Sequence, residues 1–271
     1  MDQYRVIPGR KLRLAEHDPD ETTAFDGGKN EGRNRLKQLN SKLEELQERL
    51  YAEHQHKVLI VLQAMDTAGK DGTIRHVLEG VNPQGARVVC FKVPSAEEMD
   101  HDYLWRVHSQ VPRKGEIVIF NRSHYEEVLI VRVHGRSAKG AWSRRYAQIN
   151  AFEKMLAEEG TTILKFFLNI SLEEQKKRLL ARLKEPAKQW KYNPGDVDER
   201  KFWPEYMQAY EDAISETNTD WAPWYIVPAN HKWYRNIVVG SVIVETLKRL
   251  SIQTPEVDYN IGKETERVKS L

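Results

Sequence analysis

One short segment limits the folds open to this chain more than any other: "VLIVLQAMDTAGKDGT", Val58 to Thr73. Val58–Gln63 is an almost unbroken apolar run. It lacks the polar alternation of a half-wet strand, so it reads as a strand covered on both faces. A turn follows, then Gly69-Lys70, then the start of a helix. A strand buried on both sides and joined directly to a helix belongs in a parallel sheet with helices on either face. In such sheets ligands sit at the carboxyl ends of the strands.

The rest of the chain continues the alternation. Leu36, Leu39, Leu43, Leu46 and Leu50 recur at steps of three and four across 33–54, marking a helix whose leucine face packs on the domain or on a second subunit. Strands are expected at 87–93, 116–120, 161–169 and 224–227. Helices are expected at 71–81, 100–110, 141–159, 171–185, 199–216 and 233–250, with helical periodicity after Asn121 through Val131. The fold class is therefore α/β, a three-layer parallel sheet with helices on both faces. Residues 1–32, with "DGGKNEG" as a hinge, are expected to form an arm over one domain spanning 33–250. Residues 251–271 are expected to form a polar, frayed tail.

Composition narrows the function classes. The chain has 271 residues, of which 40% are hydrophobic and 30% charged, with a net charge of only +2. Any polyanion site must therefore come from local clustering of charge. The near-neutral total argues against nucleic acid as a partner. No apolar run reaches the ~18 residues of a membrane span, and the N-terminus lacks the apolar core of a signal peptide. Cys90 is the only cysteine; it is expected to be a buried strand thiol in a cytoplasmic protein. His101, His108, His124 and His134 are scattered without metal-site spacing, and no G-x-S-x-G elbow is present.

Three stretches carry chemistry. The loop after the first strand departs from G-x-x-x-x-G-K-[ST] at both ends, with Ala64 at the first glycine and Asp71 at the Ser/Thr. Gly69 still allows the backbone of a phosphate cradle, and Lys70 adds a mobile cation at a helix N-terminus. An ordinary strand–helix turn is the competing reading. Carboxylates beside a phosphate repel it unless a divalent cation lies between them, which makes Asp66 a candidate Mg²⁺ ligand. Asp71 is read instead as a first-turn acid favoured by the helix dipole.

The second stretch is "EIVIFNRSHYEEVLIVRVHG", Glu116 to Gly135. Its strand ends in Asn121 where a metal-holding acid is usual, which leaves the metal role of Asn121 open. Arg122 stands at the strand's carboxyl end, in reach of phosphate. Glu126 and Arg132 follow amid apolar sequence, where a structural salt bridge is the alternative for either. The third stretch is "KKRLLARLKEPAKQWKYNPGD", Lys176 to Asp196. Arg178 and Arg182 share a helix face, and Lys184, Lys188 and Lys191 carry the charge past Pro186. Residues 176–198 read as a lid over an anion. Trp203, Tyr206 and Tyr210, at helical spacing, read as core.

In this order and spacing, "MDTAGKDGTI", "FNRSHYEEVLIVRVHG" and "RLKEPAKQWKYNPGD" resemble the polyphosphate kinase type 2 family, over about 57–250. The resemblance implies a P-loop kinase-like fold with a helical lid, similar to thymidylate kinases. It implies transfer of the terminal phosphoryl group of inorganic polyphosphate to a nucleotide, reversibly, with Mg²⁺ or Mn²⁺. "FNRSHYE" looks like the subgroup that accepts both AMP and ADP. Adenine nucleotides are the expected acceptors, guanine nucleotides are further candidates, and a homodimer or homotetramer is expected.

Carried over, Asp66 would bind the metal, and Gly69 and Lys70 would hold phosphates. Arg122, Arg132 and Arg182 would contact the transferred and acceptor groups. Ala68, Asp71, Gly72, Thr73, Asn121, Glu126 and Arg178 complete the candidate phosphate and nucleotide set. Lys184, Lys188 and Lys191 would guide the polyphosphate chain. An ATP-dependent nucleotide or nucleoside kinase and a non-catalytic phosphate-binding module are the rivals.

Overall fold

The structure, a computed structural model, describes residues 1–136 and 138–271. Its centre is one sheet of five parallel strands in the order β2-β3-β1-β4-β5. β1 is Lys57–Gln63, β2 Ala86–Cys90, β3 Ile117–Asn121, β4 Thr161–Asn169 and β5 Trp224–Pro228. β1 lies between β3 and β4, with Leu62 opposite both Asn121 and Phe166. It is buried from Val58 to Gln63, as its apolar run requires.

Side-chain alternation sorts the helices by face. Lys165 of β4 meets Glu153, and Phe167 packs on Tyr210. This places helices Lys139–Glu158 and Trp203–Thr217 on that face. On the other face Lys29–Glu53 packs along the closing helix Lys232–Arg249, which also touches the short helix Lys70–Val77. Leu39, Leu43, Leu46 and Leu50 are buried within this chain, so the leucine face is spent on the domain itself. Tyr206 and Tyr210 are core, as their spacing suggests.

The N-terminal segment clasps the β5 edge. Arg5 bridges Tyr225 antiparallel, and the Val6 N–H donates to the Trp224 carbonyl at 2.9 Å. Farther along, the Leu12 N–H donates to Ser215 Oγ and the Leu14 N–H to Glu211 Oε1. The clasp covers an edge that would otherwise offer unpaired backbone groups.

Four expectations are corrected. Cys90 is exposed, not buried, because β2 is an edge strand with only partial cover. The expected 100–110 helix is two short ones, Ala96–Asp100 and Trp105–His108. Ser95 and Glu98 form a capping box for the first, and Asp102 Oδ1 accepts from the Leu104 N–H before the second. After Asn121 the chain forms a 3₁₀ turn, His124–Val128, then the helix Ile130–Val133. Arg122 there has φ +63, a left-handed bend that no sequence period reveals. The tail carries an exposed helix, Ile261–Lys269, capped by Asn260.

A lysine in the middle of β4 needs an explanation. Lys165 is fully buried and donates to Glu153 Oε2 (2.5 Å), Tyr125 Oη (2.9 Å) and the Thr217 carbonyl (2.8 Å). Tyr125 in turn donates to Glu153 Oε1, and the His124 ring meets the same oxygen. Burial by itself would raise the Glu153 carboxyl; the Lys165 ammonium and then His124 outweigh it and hold it below its ordinary value. This network ties the turn after Arg122 to the sheet. Lys165→Ala, which strands Glu153 as a buried unpaired charge, is expected to cost about 3–5 kcal/mol, measured by chemical denaturation at neutral pH.

Candidate active site

The loop between β1 and helix Lys70–Val77 needs backbone conformations that few residues allow. Thr67 has φ +65 and Gly69 φ +107. A Cβ on Gly69 would lie 2.0 Å from Arg235 Nη1, so conformation and space both demand glycine. Lys70–Gly72 open the helix, and their N–H groups have no intrahelical acceptor. The loop thus presents backbone donors at a helix N-terminus, an anion cradle. Thr73 braces it, donating its N–H (2.9 Å) and Oγ1 (3.1 Å) to the Gly69 carbonyl. Ala68 is fully buried beneath it.

Lys70 folds back over the loop and donates to the Ala64 carbonyl at 2.9 Å. Burial lowers its ammonium below the ordinary value, and Asp66 opposes that. Beside it, Arg122 Nη2 meets Asp66 Oδ1 at 2.8 Å. Burial works against the Arg122 charge; Glu126 and then Asp66 overcome it and hold the guanidinium above its usual range. Asn121 Nδ2 donates to Asp71 Oδ1 at 2.7 Å. Asp71 is therefore more than a helix-dipole acid: it links the loop helix to the end of β3.

The basic helix Leu172–Lys184 meets the loop from the β4 side. Arg178 donates to the carbonyls of Thr67 (3.1 Å), Ala68 (2.8 Å), Ala229 (2.6 Å) and Asn230 (2.9 Å), and to Glu174. It staples the loop to the chain after β5. Gln175 adds a bond to the Asp66 carbonyl. Arg182 pairs with Asp196 at 3.2 Å and with the Lys191 carbonyl, folding residues 185–196 back over the helix. Burial and then Asp66 raise the Asp196 carboxyl, against the pull of Arg182, Arg122 and Lys70.

Asp66, Lys70, Arg122, Glu126, Arg182 and Asp196 thus share one electrostatic neighbourhood. Arg132 is engaged elsewhere: it pairs with Asp212 at 2.7 Å and lies 4.4 Å over the Trp142 ring. Farther out, Lys188 pairs with Glu185 and Lys191 lies over Trp190. Lys184 is exposed and makes no ion pair among the described residues. Sequence reasoning passed over Asp196 and Arg235. Asp196 has no distinguishing signal; Arg235, a lone cation in "WYRNIVVG", had one.

A parallel α/β sheet carrying a lysine-bearing loop at a helix N-terminus, an arginine at the next strand's end and a basic cover defines a P-loop kinase-like protein. Within that class, the family model "Polyphosphate kinase 2 (PPK2)" matches residues 27–255, and the chain belongs to that family. A protein of Meiothermus ruber named AMP/ADP-polyphosphate phosphotransferase is 58% identical, over 94% of this chain and 96% of its own. One of Rhodopseudomonas palustris, named ADP-polyphosphate phosphotransferase, is 46% identical over 94% and 92%. The crystal structure of polyphosphate kinase 2 from Arthrobacter aurescens TC1 superposes with a TM-score of 0.96 at 46% identity, covering 100% of this chain and 96% of that one.

Glu126 gives the site a pH signature. Burial raises its carboxyl from the ordinary 4.5, and Arg122 and Lys70 offset this only in part. The native state therefore holds this proton more tightly than the unfolded chain. The stability it contributes is complete below pH 4.5 and is lost as pH rises through the raised native value. Glu126→Gln is expected to be at least as stable as the parent at pH 7, with a flatter dependence above pH 4.5. Denaturation midpoints across pH 4–8 check this.

Proposed function

We propose that this chain transfers the terminal phosphoryl group of inorganic polyphosphate to AMP and to ADP, reversibly, and so makes ATP from AMP in two steps. The observation that supports it most is the meeting of Asp66 with Arg122 at 2.8 Å beside the Lys70 loop. Cations and one well-placed carboxylate at the carboxyl edge of the sheet suit a migrating phosphoryl group. The names of the relatives point the same way.

Such a transfer asks little covalent chemistry of the protein. An oxygen of the acceptor's phosphate attacks the terminal phosphorus of polyphosphate in line. The bond to the bridging oxygen breaks, and its electron pair leaves with the shortened polyphosphate. A nucleotide phosphate is already anionic at neutral pH, so a strong general base is unnecessary. Lys70 exchanges the Ala64 carbonyl for a phosphate oxygen. Arg122 and Arg182 exchange Asp66 and Asp196 for equatorial oxygens of the transferred group. Gly69–Thr73 hold phosphate through backbone N–H groups. Glu126 orients Arg122, Arg178 keeps the loop in shape, and Lys184, Lys188 and Lys191 attract the polyphosphate chain.

Mg²⁺, or Mn²⁺ in its place, fits the same residues. No group of three or more His, Cys, Asp or Glu side chains able to hold a metal occurs among the described residues. Mg²⁺ needs only one or two carboxylates when phosphate oxygens and water complete its shell. Asp66 fits that role, with Asp196 near enough to feel its charge. When bound, the ion would neutralise charge developing on the phosphate oxygens. Guanine nucleotides as further acceptors, and assembly into a homodimer or homotetramer, extend the proposal. No helix among the described residues is long and apolar enough to cross a membrane.

AMP incubated with polyphosphate and Mg²⁺, without ATP, is expected to yield ADP and then ATP; an ATP-dependent kinase would yield neither. Lys70→Ala is expected to lower the rate at least ~100-fold, the usual effect of losing one charge-stabilising group. A rate equal to the parent's would remove Lys70 from the reaction, and binding without turnover would support the non-catalytic rival.

A further inference from the structure

Arg235 lies in the first turn of the closing helix, only 2% exposed. A buried guanidinium ordinarily has a carboxylate partner. This one has none within ion-pair distance among the described residues. Nη1 donates to the Ala68 carbonyl at 3.0 Å, and Nε and Nη2 to Asn236 Oδ1 at 3.1 and 2.8 Å. All its acceptors are neutral. The nearby cation Arg178 has a single carboxylate, Glu174. Two buried cations thus stand behind the phosphate loop with one anion between them. Burial, and then the Arg178 charge, pull Arg235 down to about 9, so it stays charged at neutral pH.

Its position relative to the loop is equally specific. A Cβ on Gly69 would stand 2.0 Å from Nη1, and one on Gly72 3.4 Å from Nη2. The guanidinium fills the space directly against those two glycines. It also holds the Ala68 carbonyl, which Arg178 holds too. Both arginines therefore draw loop carbonyls toward themselves, a polarity that favours donors elsewhere on the loop facing an anion. The charge missing from this corner of the protein is negative, and the adjoining loop has free N–H donors.

We propose that Arg235 is the buried countercharge of the phosphate loop: a positioning residue that fixes the loop from behind, and whose unpaired charge strengthens the loop's hold on a phosphate anion. This rests on the phosphate-loop reading above. Binding and charge are linked reciprocally: whatever supplies Arg235 with a counter-anion from within the protein weakens the pull on the external one.

Asn236→Asp tests this without removing any contact. The shape is kept, the same oxygen accepts from Arg235, and a carboxylate is added. The variant is expected to melt higher than the parent when free. It is expected to bind inorganic tripolyphosphate about 10-fold more weakly, a loss of ~1.4 kcal/mol, read from melting temperature against tripolyphosphate concentration. A simple structural role for Arg235 predicts the opposite, since a better-anchored arginine would leave affinity unchanged or improve it. Arg235→Lys and Arg235→Gln form the second arm. Lysine keeps the charge and is expected to bind within about 3-fold of the parent, while glutamine loses about 10-fold. Unchanged affinity in Asn236→Asp, or equal losses in the Lys and Gln variants, would overturn the proposal. So would a parent protein that tripolyphosphate does not stabilise. Because the readout needs no turnover, a parent that binds tripolyphosphate but makes no ADP from AMP and polyphosphate would refute the proposed function and leave this inference standing. A parent that turns over while Asn236→Asp binds normally would do the reverse.

Discussion

The arrangement depends on the pairing of β1 with β3 and β4. A strand apolar from Val58 to Leu62 can be sheltered only by neighbours on both edges and helices on both faces. Once β1 is paired in the register that sets Leu62 against Asn121, the loop leaving β1 and the bend leaving β3 emerge side by side. Asp66 then meets Arg122, and Asp71 meets Asn121. β4, on the other side, delivers the basic helix to the same edge. No residue of the site needs to be close in sequence to another; parallel pairing aligns the strand ends and so brings them together.

On the proposed function the site is one of interchangeable oxygens. Three cations rest on protein oxygens: Lys70 on the Ala64 carbonyl, Arg122 on Asp66, Arg182 on Asp196. These contacts keep buried or half-buried charges from standing alone. At Lys70, Glu126 and Asp196 burial sets the direction of the shift, each toward the neutral form, and the neighbouring opposite charges offset it only in part. Such a cluster is not optimal for stability. On the proposed function, a ligand that brings its own charge would offset this, a common cost of a functional site.

Much of this was legible in the chain. The β1 run, the Gly69-Lys70 turn, the length of β4 and the closing helix all follow from period and apolar continuity, which reflect burial directly. The errors share a cause. Cys90 read as core because strand propensity does not say whether a strand is central or at an edge. The stretch after Asn121 read as helix because its apolar spacing is helical, yet Arg122 turns left-handed and Ser123 caps a 3₁₀ turn instead. Arg132, with a salt bridge as its alternative, and Arg178 enter the candidate phosphate set through charge pattern and resemblance, neither of which names a partner. Their observed partners, Asp212 in one case and four loop carbonyls in the other, lie far away in sequence.

By itself, then, the sequence determined the class of fold, the Gly69-Lys70 loop between strand and helix, and the basic character of what covers it. Those properties are local: a period, a glycine with its lysine, a run of like charge. The tertiary structure alone decided which cations share a cleft, that Asp196 belongs with Asp66, and that Arg235 lies unpaired beneath Gly69. Those are facts of long-range packing. The energy of a charge depends on what surrounds it, and its surroundings here come from segments more than a hundred residues apart.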